Sequence, residues 1–159
     1  MNKNVEIIIN FRKYLLNNID LLNAEQLNHI PENFNNNIIW NIGHLNAVLQ
    51  ALCYKSSGLP IKTEEKYYHP FLSGTKPSGL IDETEIKTIK QQFIKTVEEL
   101  NTDLQNGLFK TYIKVARIEK VYNIQVETIN DALDYVTHHE GIHLHAILSL
   151  KRVMENTSR

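Results

Sequence analysis

Ile86, Ile89, Phe93, Val97, Leu100 and Leu104 recur at intervals of three and four residues, which lays one continuous apolar stripe along an α-helix. A strand cannot use such a pattern, because its faces alternate with a period of two. Asp82 and Glu85 stand three apart at the head of this segment as a capping box, and Asn106-Gly107 closes it. The same spacing occurs in Ile8, Phe11, Leu15, Ile19 and Leu22, predicting a first helix over about 4–22. A second helix is predicted over roughly 37–56, capped by one of Asn35, Asn36 and Asn37 and stopped before Gly58 and Pro60. The last runs from about 128 to 155.

Three connections separate these helices. Residues 24–35 form a connector containing Pro31. Residues 58–80 carry Pro60, Pro70, Gly74, Pro77 and Gly79 and cannot be regular helix, so they form a crossover packed on the surface or a functional lid. Residues 108–126 mix β-branched and charged side chains and read as an extended loop or short hairpin. The expectation is an all-α fold in one domain over residues 1–159. It is a four-helix bundle with long crossover connections after the second and third helices.

Composition narrows the function. A formal net charge of -1 leaves no positive excess for phosphates, which argues against a nucleic-acid partner. No apolar run is long enough to span a membrane. Ile7-Ile8-Ile9 is followed at once by Asn10, Arg12 and Lys13, so the N-terminal segment does not read as a signal peptide. With Cys53 as its single cysteine the chain can form no internal disulfide, and a cytoplasmic location is expected.

The histidines carry the chemistry. His139 and His143 are one helical turn apart, about 40° on the wheel, on the face that bears Ala132, Tyr135, Val136, Ile142, Ala146, Ile147, Leu150 and Val153. Two imidazoles in a core-facing stripe need partners for their ring nitrogens, at a cost on the order of 1–3 kcal/mol for each one unmet. A shared metal ion turns that cost into binding energy. His44 lies within a second stripe, Trp40, Ala47, Val48, Ala51 and Leu52, and supplies a third nitrogen from a facing helix. Gly43 before it marks a place where another backbone or a ligand comes close. His138 and His145 point to the flank, His29 and His69 lie in polar connectors, and Cys53 falls about 180° around from His44.

His139-Glu140-Gly141-Ile142-His143 also spells the zincin pattern, in which a glutamate activates water. The metzincin extension is missing and only sixteen residues follow His143, so a protease is a minor alternative. Candidates for proton transfer are Tyr135, one turn before His139 on the same face, together with Glu140 and His145.

Asn36-Asn37-Ile38-Ile39-Trp40-Asn41-Ile42-Gly43-His44-Leu45 resembles the second-helix signature of the DinB-like superfamily. His139-Glu140-Gly141-Ile142-His143-Leu144-His145, followed by Ile147 to Arg152, is similar to its last-helix signature. The stretches Leu27 to Pro31, Gly58 to Pro60 and Gly74 to Pro77 are also similar to that group. The resemblance implies a four-helix bundle with a divalent metal, zinc or nickel, held by His44, His139 and His143. It further implies a homodimer and, in some relatives, transfer of a low-molecular-weight thiol such as bacillithiol or a mycothiol-dependent isomerisation. His145 departs from the group, where glycine is common.

Two functions follow as expectations. One is a metal-dependent enzyme that transfers a thiol to, or hydrolyses, a small-molecule substrate. The other is a stress-related binding or scaffold protein whose metal only pins helices together. In a third, weaker reading the histidines bind no metal and bond to each other and to water.

Overall fold

Each of the four long helices begins with a polar side chain that accepts an otherwise unpaired backbone N–H. Asn2 accepts from Asn4 at 2.9 Å and Asn37 from Trp40 at 2.8 Å, while Asp82 accepts from Glu85 at 2.8 Å. Thr128 accepts from the Asp131 N–H at 3.1 Å, and the Asp131 carboxylate accepts from the Thr128 N–H at 2.9 Å. In the computed structural model, which describes residues 1–157, these caps open α1 (Lys3–Ile19), α3 (Ile38–Leu49), α4 (Glu83–Gln105) and α6 (Ile129–Thr157). Two short helices, α2 (Ala24–Asn28) and α5 (Ala116–Tyr122), lie between them. The described residues are all helix, turn or coil, with no strand.

The long helices pack α1 on α4 and α6, and α3 on the same pair. Every residue of α3 is buried, so this helix runs through the interior with neighbours on all sides. It continues into a π-helical turn, Gln50–Tyr54, and a 3₁₀ turn, Lys55–Ser57, before Gly58 ends it at φ 72°. A wide turn of this kind is a common insertion near functional sites. No helix of the described residues is long and apolar enough to cross a membrane.

Three expectations need correction. Residues 108–126 form no hairpin; α5 occupies their centre, ended by Asn123 in the left-handed conformation at φ 55°. The flanks touch through one bond, Val115 N–H to Val126 O at 3.1 Å, too little for a ladder. The connector after α1 contains α2, whose Asn23 cap and Gln26 form a reciprocal capping box. The core-facing side of α6 is also rotated. Ala132, Leu133, Val136, Glu140, Ile147, Leu150 and Met154 are buried, which centres the face roughly 65° from His139. Ile142, on the other side of His139, is 67% exposed. His139 therefore stands at the edge of the buried face, whereas His143, about 40° further round, falls within its arc, and both rings are half-buried.

The long connection 58–80 is a packed strap. Tyr67, Tyr68 and Phe71 are buried, and two 3₁₀ turns, Glu65–Tyr67 and His69–Phe71, fold it over α3. Gly43 faces the Phe71 ring so closely that a Cβ there would overlap it. The close approach foreseen at Gly43 is thus made by a side chain of the strap. Trp40 donates from its indole to the Pro70 carbonyl at 3.2 Å, a second tether.

Candidate metal centre

α3 brings His44, and α6 brings His139 and His143, to one point between the helices. Each ring offers a nitrogen, and the three lie within 4.8 Å of one another. Ring centroids are 5.2 Å apart for His44 and His139, 4.8 Å for His44 and His143, and 4.5 Å for His139 and His143. Among the described residues no carboxylate or thiol joins this cluster.

Hydrogen bonds fix two of the rings. His44 Nδ1 donates to the Phe71 carbonyl at 2.6 Å, so its Nε2 carries the lone pair. Trp40 stacks on the same ring at 4.7 Å, nearly parallel, and prevents it from turning. His143 Nδ1 donates to Asn41 Oδ1 at 2.7 Å. The Asn41 amide is itself set, because its Nδ2 donates to the Asn37 carbonyl one turn back at 2.7 Å. Among the described residues His139 has no such partner, and its Nδ1 is buried without a hydrogen bond there. That ring can take a metal ion without giving up a bond it already makes.

Protonation agrees with a ligand role. Burial lowers the pKa of His44, against the raising effect of its bond to Phe71. Burial, then the neighbouring His143 and His44, lowers His139 to about 3. Burial, then His44, lowers His143 to about 4. All three are therefore neutral at pH 7, with lone pairs available. The donor set of three imidazoles suits zinc, nickel, copper or iron.

The remaining candidates are placed separately. Tyr135 is half-buried and lies almost parallel to His139, with ring centroids 6.1 Å apart. His145 is exposed on the flank, where its Nε2 meets Ser149 Oγ at 3.4 Å. Glu140 is fully buried and bonds Arg12 of α1, Nη2 to Oε1 at 2.6 Å and Nε to Oε1 at 3.0 Å. His138 and His29 are exposed, and His69 is 60% exposed, paired with Glu65 in the strap. Cys53 is buried with its pKa pushed up to about 12 by desolvation, the state of an inert thiol.

Sequence reasoning missed Asn41, Phe71 and Arg12. Asn41 had a signal, a polar residue three before His44 in an otherwise apolar run. Arg12 had one too, since Val5, Ile8, Arg12, Leu15 and Ile19 follow a three-four-three-four spacing that puts the arginine in the core stripe. Phe71 had none, because it orients His44 with a backbone carbonyl.

A sequence model of the DinB superfamily matches residues 9–147, from the first helix to the turn after His143 in α6. The chain belongs to the DinB superfamily. A search of curated proteins returned no match. Within the matched region lie all three imidazoles and the groups that orient them.

Proposed function

We propose that this DinB-superfamily chain is a metal-dependent enzyme that transfers a low-molecular-weight thiol to a small molecule, or hydrolyses one, at His44, His139 and His143. The observation that carries the reading is the meeting of three neutral imidazoles from two helices within 4.8 Å, two with their Nδ1 atoms already occupied. The pairwise packing of α1, α3, α4 and α6 supports a four-helix bundle with crossovers after α3 and α4. Zinc or nickel fits the donor set, the group's habit favours a homodimer, and the single cysteine favours a cytoplasmic location.

Three protein ligands are the number found in catalytic zinc sites, where a fourth position is left for substrate or water. A divalent ion held there supplies Lewis acidity, lowering the pKa of a thiol or water enough to give a nucleophile at neutral pH. The chain's own residues provide position. Phe71 O and Asn41 Oδ1 hold two rings with their Nε2 lone pairs free, and Trp40 prevents rotation. Tyr135 is the proton-transfer candidate whose ring lies against that of His139, and the exposed Tyr122 ring lies 6.4 Å from it. His145 would act only from the flank. Glu140 is held by Arg12, which favours a positioning role.

The test is turnover by zinc- or nickel-loaded protein with bacillithiol and a fluorogenic bimane, and with p-nitrophenyl acetate for hydrolysis. The expected result is metal-dependent turnover that His139→Ala reduces to the uncatalysed rate. Metal binding with no turnover of either kind, and a large loss of stability on metal removal, would favour the scaffold reading instead.

A further inference from the structure

Arg12 is a fully buried arginine in the apolar stripe of α1. Its guanidinium touches the three other long helices at once. Nη1 donates to the Phe93 carbonyl of α4 at 2.8 Å, and the cation lies over the Phe93 ring at 4.4 Å. Nη2 donates to the Leu45 carbonyl of α3 at 3.1 Å and to Glu140 Oε1 of α6 at 2.6 Å. Nε donates to that same oxygen at 3.0 Å.

The two residues bridged by Nη2 are neighbours of the imidazoles. Leu45 follows His44 in α3, and Glu140 follows His139 in α6. One nitrogen atom thus ties together the two backbone segments that carry the candidate ligands. Helix packing alone does not call for this device. A buried ion pair is often no more stabilising than apolar residues of the same volume, because both charges lose their water. Lysine cannot replace it, since only the planar guanidinium fork reaches three acceptors in fixed directions.

We infer that Arg12 and Glu140 are positioning residues for the metal centre: the pair fixes α3 against α6 so that His44 meets His139 and His143. The inference rests on the metal-centre reading given above. It gives Glu140 of the His-Glu-x-x-His pattern a task other than activating water. The carboxylate faces α1 and holds the frame on which the histidines stand.

The experiment compares the wild type with the double variant Arg12→Met/Glu140→Leu, which replaces both charges by shorter apolar groups of comparable volume. A core control, Leu100→Ala, destabilises the protein without touching the clamp. Zinc affinity is measured by competition with a chromogenic chelator, the cobalt(II) absorption spectrum reports ligand geometry, and chemical denaturation of the metal-free protein reports stability. The expected result is that the double variant folds, binds zinc at least about tenfold more weakly and shows an altered cobalt spectrum. Leu100→Ala is expected to lose stability yet keep the wild-type spectrum and affinity.

Where the double variant does not fold, Arg12→Lys carries the same test, because it keeps the charge and loses the fork. Wild-type affinity and an unchanged cobalt spectrum in the folded variant overturn the positioning role while leaving the metal centre intact. A spectrum altered equally by Leu100→Ala overturns it as well, by showing that any loss of core stability has that effect. A wild type that binds neither zinc nor cobalt overturns the metal reading and this inference together.

Discussion

At the scale of single residues, the site depends on which nitrogen of each ring is free. Asn41 and the Phe71 carbonyl decide this for His143 and His44. Asn41→Ala removes the acceptor for His143 and is expected to weaken zinc binding by roughly 10–100-fold, read by chelator competition. Proton linkage gives a second prediction for the metal-free protein. His139 and His143 have folded pKa values of about 3 and about 4, below the 6.5 of an ordinary histidine. The unfolded chain therefore binds more protons than the folded one as pH falls through 6.5, so stability drops with falling pH. The loss continues until the folded rings titrate near pH 4 and pH 3, and then levels off. Between pH 7 and pH 5 it should reach on the order of 1–2 kcal/mol per histidine in denaturant titrations. The variant His139→Leu/His143→Leu should lose that component of the pH dependence.

At the scale of elements, the strap over 58–80 connects local geometry to the site. Phe71 packs its ring on Gly43 and presents its carbonyl to His44, so the two contacts are coupled through one residue. Gly43→Ala would push the ring away, at a cost of about 1–3 kcal/mol as an overpacked core position. The same change is expected to weaken metal binding, because the Phe71 carbonyl moves with its ring. Thermal denaturation and zinc titration of that variant check both effects. Periodicity made the four long helices legible, since their apolar spacing and caps are local properties. It could not orient α6 to better than its own breadth, because Leu144 and Leu148 outside the expected stripe are also partly buried. α5 was missed for a related reason. Val121 and Tyr122 stay exposed while Ile118 is buried, so its sequence lacks the stripe that marks a helix. The three histidines were legible as a set, whereas their orienting partners were not, because one is a carbonyl in the strap.

At the scale of the whole molecule, the imidazole cluster and the Arg12 clamp both join elements distant in sequence. His44 and His143 lie on different helices, and Arg12 reaches Glu140 across 128 residues. A metal that binds only this assembled arrangement stabilises the fold by mass action, about 2.7 kcal/mol at a hundredfold excess over its dissociation constant. Zinc should accordingly raise the unfolding temperature in a concentration-dependent way, and a chelator should reverse the rise. The clamp predicts a different failure. Glu140→Ala leaves Arg12 buried without its counter-ion and is expected to cost about 3–5 kcal/mol, with or without metal, in equilibrium denaturation.

The most direct measurement is the metal content of protein purified without a histidine tag, for the wild type and for His143→Ala. The account predicts about one divalent ion per chain in the wild type, as expected for a single site of three neutral imidazoles, and none in the variant. No metal in either protein, with folding unchanged and no uptake of added zinc or nickel, would contradict it.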